Sequence, residues 1–339
     1  MNKFVSMLCL GIHLLGVDGW AATEKVKVGY SPVVSTAGIF IAQDRGYFKE
    51  LGLDVELVPF NSSSAPMNIL LAKGTLDVGA GNITAGLFNA DNAGARIRIV
   101  ADKGHVEKNH SYLALLVRAD HVASGRYKSL KDLKGFKFGL TALGGVSQEI
   151  ATERFLKAGG LTLKDIQFEK MSYAEMNLAL KNRSLDAAVQ LEPFVTHAAT
   201  SGTARMIAPL YDVYPDQVSA ALFYSDAFAG RKDAAVRFLA AYLKGVRDYR
   251  AAMSGGRNRK EIVSILKRYT SIDSDEVWEK MIPVGLDPEG RINTDALKSD
   301  LEWYAGKDYI SKVPDLSRII DNTFRIEATK LIGDYGNGR

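Results

Sequence analysis

The sequence predicts an α/β protein of two similar parallel-sheet lobes, joined by crossing strands and followed by C-terminal helices. Two pairs of similar segments support this prediction: residues 70–82 with 178–190, and residues 26–32 with 136–142. The spacing is also kept, since Gly29 precedes Asp77 by 48 positions and Gly139 precedes Asp186 by 47. A repeat of this length indicates two α/β lobes with a cleft between them.

The first lobe shows strands and helices in alternation. An alternating strand at 26–30 leads through an uncharged loop into a helix that we expect to run from 39 to about 51 and to end at Gly52. The rest of the lobe follows in order: a strand at 53–60, a helix at 66–73, a strand at 78–80, a helix at 85–92 and a strand at 97–100. The β-α-β-α-β order predicts a parallel sheet.

The second lobe repeats this plan between two crossing segments. An apolar segment at 112–117 could cross from the first lobe, and a strand at 220–225 could carry the chain back. Between them we expect a helix at 148–158, a strand at 166–170 and a helix at 173–182; a long amphipathic helix at 233–253 and helices at 260–269, 274–281 and 294–306 follow. The predicted domains are therefore residues 22–112 (lobe 1), 113–224 (lobe 2) and 225–339 (return to lobe 1 and C-terminal helices).

The N-terminus has the order of a secretory signal peptide. Lys3 is followed by an apolar run at 4–17 and by small residues that place cleavage near Ala21. An uncleaved anchor is the alternative. Cys9, the one cysteine of the chain, lies inside this segment 1–21. The mature chain is therefore expected to have no disulfide, thiolate metal ligand or cysteine nucleophile.

Composition argues against nucleic acid as a partner. The 339 residues carry a net charge of +4, with 24% charged and 47% hydrophobic residues and no run of basic side chains. We expect an exported, water-soluble monomer that binds a small molecule and holds no cofactor.

Polar loops follow the repeated strands, and ligands of open parallel sheets bind at the carboxyl ends of strands. The loops offer hydroxyls, amides and helix-start N–H groups, although capping of the next helix explains part of this pattern without a ligand. The predicted ligand-binding residues of the first lobe are Ser31, Ser35, Thr36, Gly38, Asn61, Asn82 and Thr84. Those of the second lobe are Thr141, Gly144, Gly145, Ser147, Gln190 and Glu192.

Two of the second-lobe loops suggest a specific chemistry. The glycines before the helix at 148 present backbone N–H groups at a positive helix end, which suits an anion. Glu192 follows a buried strand, where a carboxylate needs a partner. If that partner is the ligand, the ligand carries an amine or another donor; if it is a protein Arg or Lys, Glu192 only shapes the cleft.

Neither a metal site nor a catalytic site emerges from the sequence. His105 and His110, with Glu107 between them, lack a third clear ligand on what we interpret as a surface loop. We find no Ser-His-Asp order, phosphate-binding loop or carboxylate pair. The sequence therefore indicates a binding protein and not an enzyme.

Three motifs resemble a known family. They are GYFKELGLDV at 46–55, KGTLDVG at 73–79 and DAxxxxEPF at 186–194. They resemble the substrate-binding proteins of ABC importers for nitrate, sulfonates, taurine and the thiamine pyrimidine. The resemblance implies the two-lobe periplasmic binding protein fold, a periplasmic location and transfer of the ligand to an ABC permease in the inner membrane.

The chain departs from these relatives in two respects. Many carry an aromatic residue near Gln190, and the fungal enzymes among them depend on a cysteine-rich motif that is absent here. We expect the ligand to be a small polar organic anion or zwitterion resembling a sulfonate or taurine. The alternatives are a thiamine-pyrimidine precursor, an aromatic carboxylate, or a pyrimidine-processing enzyme on the same fold.

Overall fold

The computed structural model describes residues 23–60, 64–270 and 272–336. The predicted signal peptide and Asn61 lie outside these residues. The strands form two sheets of five.

The first sheet has the order β2-β1-β3-β10-β4. Its strands are β1 (Glu24–Tyr30), β2 (Leu53–Pro59), β3 (Val78–Asn82), β4 (Ile97–His105) and β10 (Val218–Ser225). β10 is antiparallel to both of its neighbours, whereas β1 is parallel to β2 and to β3.

The second sheet repeats this arrangement in the order β7-β6-β8-β5-β9. Its strands are β5 (Leu113–Arg118), β6 (Lys137–Leu140), β7 (Gln167–Lys170), β8 (Ala187–Leu191) and β9 (Ala204–Pro209). Here β5 is the antiparallel strand. The chain thus enters the antiparallel strand of each sheet from the other lobe. This arrangement confirms the predicted fold class of two similar α/β lobes joined by crossing strands. Each sheet is mixed and not purely parallel. The predicted domain limits stay a prediction; β10 hydrogen-bonds within the first sheet from Val218 onwards.

Helices cover the sheets and form the C-terminal part of the chain. In the first lobe these are α1 (Ala37–Asp44), α2 (Tyr47–Glu50), α3 (Ala65–Ala72) and α4 (Ala85–Asn92). In the second lobe they are α5 (Ala119–Ala123), α6 (Ser147–Ala158), α7 (Tyr173–Lys181) and α8 (Phe194–Thr200). The chain ends with α9 (Asp226–Gly230), α10 (Lys232–Gly255), α11 (Arg259–Tyr269), α12 (Asp275–Lys280), α13 (Thr294–Gly306), α14 (Leu316–Ile319) and α15 (Thr323–Ile332).

The single helix predicted at 39–51 is divided into α1 and α2. Gly46 has φ +75° between them, a left-handed conformation that an α-helix does not contain. Gly52 has φ +69° directly after α2, as expected for a glycine that ends a helix.

The sequence repeat is visible in the packing of the two lobes. A Cβ atom on Gly29 would lie 2.8 Å from Leu76 Cδ1, and one on Gly139 would lie 2.8 Å from Met176 Cγ and 2.9 Å from Leu185 Cδ2. Because these glycines have no side chain, the helix and turn of each lobe can approach strand β1 or β6 closely.

The repeated aspartate has the same role in both lobes. Asp77 Oδ2 accepts a hydrogen bond from Lys27 N at 2.7 Å, and Asp186 Oδ2 accepts one from Lys137 N at 3.0 Å. Each carboxylate joins the turn before β3 or β8 to the backbone of the neighbouring strand, β1 or β6.

Helix α10 packs directly on α1. A Cβ atom on Gly245 would lie 2.1 Å from Gly38 O, and one on Gly38 would lie 2.5 Å from the Tyr242 ring. The backbones of the two helices touch here because neither glycine has a side chain. None of the helices in the described part of the chain is long and apolar enough to cross a membrane.

Candidate functional site

The two lobes touch where the loop after β3 meets the loop after β6. Ala85 N donates to Gly145 O at 2.8 Å, and Thr84 pairs with Val146 in an isolated antiparallel bridge. A Cβ atom on Gly145 would lie 2.4 Å from Ala85 Cβ. Because both loops follow repeated strands, a ligand at these strand ends would contact both lobes.

A second contact joins α13 to α6 of the second lobe. Trp303 Nε1 and Lys307 Nζ both donate to the Glu153 carboxylate, the latter at 2.8 Å, and Tyr309 OH donates to Glu149 Oε1 at 2.8 Å. The apolar side of α13 packs in a cluster formed mainly by first-lobe residues. The C-terminal segment therefore connects the lobes in addition to the crossing strands.

Two side chains of the loop after β1 already have hydrogen-bond partners in the protein. Thr36 Oγ1 donates to Ser31 O at 2.8 Å, and Ser35 Oγ accepts from Lys103 Nζ at 2.8 Å. Ser35 and Thr36 are buried, and Ser31 is half-buried. Gly38 faces α10, so the structure assigns it to helix packing and not to the cleft.

Lys103 was not among the residues predicted from the sequence. It lies on β4, fully buried, and Ser35 is its hydrogen-bond partner among the described residues. The neighbouring Asp102 is occupied elsewhere, since its carboxylate accepts from His105 Nδ1 at 3.0 Å and Asp287 N at 2.9 Å. Burial lowers the pKa of Lys103 to about 7, against the opposing effect of Asp102.

Two tyrosines interact near Gly104, the residue that follows Lys103 on β4. The Tyr112 hydroxyl and Ser35 Cβ flank Gly104, at 3.5 Å and 3.3 Å from the position of a Cβ atom there. The Tyr173 hydroxyl contacts the Thr141 side chain and interacts electrostatically with Tyr112. Burial raises the pKa of Tyr112 well above its ordinary value and that of Tyr173 to about 12. Both hydroxyls therefore keep their protons and can donate hydrogen bonds.

Asn82 and Thr84 lie at the end of β3. The backbone N–H of Asn82 donates to Ser64 Oγ at 2.9 Å; its half-buried side chain has no hydrogen-bond partner within the described residues. Thr84 Oγ1 accepts from Leu87 N at 3.3 Å and caps α4. Asn82 therefore remains available to a ligand, whereas the position of Asn61 is outside the described ranges.

The glycine N–H groups predicted to bind an anion already have protein partners. Gly144 N and Gly145 N donate to Glu149 Oε2 at 3.1 and 3.0 Å. Thr141 N and Oγ1 donate to Gln148 Oε1 at 2.9 and 3.0 Å. The anion role expected for the two glycines is corrected accordingly, because the first turn of α6 supplies its own carboxylate.

Gln190 is buried with its side chain fully paired. Its Nε2 donates to Tyr173 O at 2.8 Å and Asn177 Oδ1 at 3.2 Å, and its Oε1 accepts from Leu191 N at 3.0 Å. It holds α7 against β8 and leaves no polar group for a ligand.

The partner of Glu192 is neither of the two expected alternatives. Its carboxylate accepts from Thr196 N at 3.0 Å, Thr196 Oγ1 at 2.8 Å and Ile282 N at 3.2 Å. Burial raises the pKa of Glu192 to about 7, against the effect of these donors. Glu192 joins the start of α8 to the C-terminal segment, and its oxygens are committed to these donors.

A buried polar cluster surrounds Asp300 of α13. Its Oδ1 accepts from Tyr214 OH at 2.6 Å, and Gln217 Nε2, beside it, donates to Ser147 O at 3.4 Å. Asp300 Oδ2 and Gln217 Oε1 are buried without partners, and Arg154 lies 4.4 Å from the Tyr214 ring centre. Burial raises the pKa of Asp300 to about 7, against the effects of Tyr214, Gln217 and Arg154. A neutral, protonated Asp300 fits this buried position, where its Oδ2 has no partner among the described residues.

We expect Asp300→Asn to stabilise the chain above pH 7. The folded-state pKa of Asp300, about 7, exceeds its ordinary value of 3.8, so the folded chain binds the proton more tightly and loses stability as pH rises towards 7. Asparagine has nearly the same shape as aspartate and stays neutral at every pH. The stability difference between variant and unsubstituted chain should grow by about 3 kcal/mol between pH 5 and pH 8 in urea unfolding.

Asp295→Asn, on an exposed turn of the same helix, provides the control for this measurement. Its effect on the free energy of unfolding should be the same at both pH values. An equally constant difference for Asp300→Asn would show that Asp300 is ionised in the folded chain throughout this range.

His105, Glu107 and His110 form a structural network. Glu107 lies 3.8 Å from His105 Nε2, 3.5 Å from His110 Nδ1 and 2.7 Å from Arg250 Nη1. The interaction with His105, followed by that with Arg250, lowers the pKa of Glu107 to about 2. Over residues 23–60, 64–270 and 272–336, no three His, Cys, Asp or Glu side chains are placed to hold a metal ion.

Comparison with known proteins agrees with this architecture. The model of the NMT1-like family matches residues 20–267. The chain belongs to the NMT1-like family. No curated protein matches this NMT1-like chain by sequence.

Solved structures share the fold of this NMT1-like protein at low identity. A ligand-binding component of an ABC-type import system from Staphylococcus aureus, with zinc bound, has TM-score 0.73 and 17% identity, covering 90% of this chain and 99% of that one. The alkanesulfonate-binding protein SsuA from Xanthomonas axonopodis pv. citri, bound to MOPS, has TM-score 0.70 and 17% identity, covering 90% and 100%. The periplasmic nitrate-binding protein NrtA from Synechocystis PCC 6803 has TM-score 0.70 and 16% identity, covering 92% and 89%. These structures confirm the resemblance at the level of the two-lobe fold.

Proposed function

We propose that this NMT1-like protein is the solute-binding component of an ABC importer and captures a small polar organic anion or zwitterion between its lobes. One observation carries the proposal: the loops after β3 and β6, on different lobes, meet at the Ala85–Gly145 hydrogen bond. A ligand at these strand ends touches both lobes, so it stabilises the arrangement in which they are in contact.

The ligand-binding set that we propose is smaller than the one predicted from the sequence. Ser31, Ser35, Asn82 and Ser147 keep polar groups that are not consumed by helix capping, while Gln190 and Glu192 are paired within the protein. A thiamine-pyrimidine precursor and an aromatic carboxylate are the alternative ligands.

The proposal extends to location and partners. The chain is exported to the periplasm after cleavage near Ala21, acts as a monomer, and passes its ligand to a permease of the inner membrane. It binds neither nucleic acid nor a cofactor and catalyses no reaction. The import and periplasmic proteins that share its fold support the proposed location and the permease partner.

We expect ligand binding to raise the thermal stability of the mature chain and to make it more compact. A ligand at 100 times its dissociation constant adds about 2.7 kcal/mol to the free energy of unfolding, which shifts the melting temperature by several degrees. The screen contains taurine, alkanesulfonates, nitrate, the thiamine pyrimidine and aromatic carboxylates. X-ray scattering then compares the radius of gyration with and without the stabilising compound.

Unchanged scattering in the presence of a stabilising compound would contradict binding between the lobes. Conversion of the compound into a product would instead support the enzyme alternative. Native mass spectrometry of the purified chain identifies a ligand that is already bound.

A further inference from the structure

The buried ammonium group of Lys103 lacks most of its hydrogen-bond partners. An ammonium group has three N–H donors, and within the described residues only Ser35 Oγ, at 2.8 Å, accepts one of them. The side chain is fully buried, so water does not solvate the charge freely. A buried cation with one neutral partner is unfavourable unless an anion joins it.

Uncharged polar groups extend from Ser35, the partner of this ammonium, to the second lobe. Ser35 and the Tyr112 hydroxyl flank Gly104 on the first-lobe side. Tyr173, whose hydroxyl contacts Thr141, belongs to the second lobe and interacts electrostatically with Tyr112. Lys103 therefore supplies the one positive charge of this group, and the hydroxyls can donate hydrogen bonds to an oxyanion.

Three buried carboxylates are already paired with protein donors. Glu192 accepts from Thr196 and Ile282, and Glu149 accepts from the two glycine N–H groups of its loop. Asp102, next to Lys103 in sequence, accepts from His105 and Asp287. Asp300 keeps one buried oxygen, Oδ2, without a partner among the described residues. Burial raises its pKa to about 7, so at or below neutral pH this carboxyl is largely uncharged and offers no counter-charge to the ammonium group of a zwitterion.

Building on the proposed solute-binding function, we propose that Lys103 binds the head group of the ligand, and that this ligand is a singly charged carboxylate or sulfonate without an ammonium group. One cation and several neutral donors match one negative charge. A dianion would keep a charge without a partner, and a zwitterion would bury an unpaired ammonium group. Plain monoanions should therefore bind better than taurine-like zwitterions, although both belong to the ligand class of the proposed function.

Titration calorimetry with matched pairs of compounds tests this inference. Ethanesulfonate and taurine differ by one ammonium group, as do propionate and β-alanine, and benzoate and benzenesulfonate add an aromatic body. We expect at least one monoanion to bind, and its amino counterpart, where the pair exists, to bind at least tenfold more weakly. Lys103→Met, which keeps the length of the side chain without its charge, should weaken that binding at least 100-fold.

Lys108→Met provides the matched control, because Lys108 is exposed on the turn just after β4. This variant should bind the monoanion as the unsubstituted chain does. Thermal unfolding should show Lys103→Met to be at least as stable as the unsubstituted chain without ligand, because the substitution removes a buried charge. Lost binding then reports on recognition and not on folding.

Proton uptake gives a second readout that a purely structural lysine would not produce. Ser35 is the hydrogen-bond partner of the ammonium, Asp102 is the charged group that acts on its pKa, and the Tyr112 hydroxyl lies beside the next residue, Gly104. Because burial lowers the pKa of Lys103 to about 7, binding of an anion at pH 8 should draw a proton from the buffer. Calorimetry in buffers of different protonation enthalpy measures this uptake, which should disappear in Lys103→Met.

Several results would overturn the inference. They are equal binding by Lys103→Met, tighter binding of the amino compound than of its plain counterpart, and failure of every monoanion to bind. Compaction with the thiamine pyrimidine alone would refute the role of Lys103 while leaving the solute-binding function intact. Absence of compaction with any compound that binds would instead refute the function proposed above.

Discussion

Replacing Gly145 with alanine should prevent the two lobes from meeting and weaken ligand binding by about 10- to 100-fold, the equivalent of 1–3 kcal/mol of overpacking. The new methyl group would lie 2.4 Å from Ala85 Cβ on the opposite lobe and 3.3 Å from the rings of Tyr304 and Tyr309. The lobes would have to separate to accommodate it. X-ray scattering of the variant with saturating ligand should therefore show less compaction than the unsubstituted chain.

Gly144→Ala is the control for this prediction. Gly144 and Gly145 have almost the same backbone conformation, with φ +97° and +96°, so alanine strains both positions alike. A Cβ atom on Gly144, however, meets no atom within 4 Å. If both variants lose the same affinity, backbone strain and not contact between the lobes explains the loss.

A second large effect is expected where α1 and α10 cross. Alanine at Gly245 would place its methyl carbon 2.1 Å from Gly38 O and 3.1 Å from Ala42 N. These are backbone atoms, so the two helices must move apart, which we expect to lower the free energy of unfolding by about 3 kcal/mol. Urea denaturation of the mature chain measures this loss.

Gly255→Ala, at the end of the same helix, should instead raise the free energy of unfolding. No atom lies within 4 Å of a Cβ atom there, and alanine favours the helix over glycine by up to about 1 kcal/mol. Equal stabilities for Gly245→Ala and Gly255→Ala would show that the helices can separate without loss of packing.

The fold could be predicted because its evidence is local and occurs twice. The repeated glycine and the repeated aspartate have the same contacts in both lobes, as Gly29 with Leu76 and Asp77 with Lys27 illustrate. The pairing of β10 between β3 and β4 was harder to predict, because it depends on contacts between segments far apart in the chain. The division of one predicted helix into α1 and α2 could have been predicted from Gly46, because a glycine within a helix favours a break.

The candidate site was less predictable because the same polar residues serve ligands and protein partners. The sequence does not show that Ile282, 90 positions away, donates to Glu192, or that Glu149 occupies the N–H groups of its own loop. Lys103 was missed because the predicted strand ended at Val100, whereas pairing with β10 extends β4 to His105. The sequence signal for this site was a single lysine within a strand that is buried on both faces.

The contact between Trp303 and Glu153 has an optical consequence. Trp303 belongs to α13, which packs mainly with the first lobe, while Glu153 belongs to α6 of the second. Any movement that separates the lobes at this point changes the polarity and hydrogen bonding around the indole ring. The protein thus carries its own fluorescent indicator of cleft position, on the C-terminal segment and without a label.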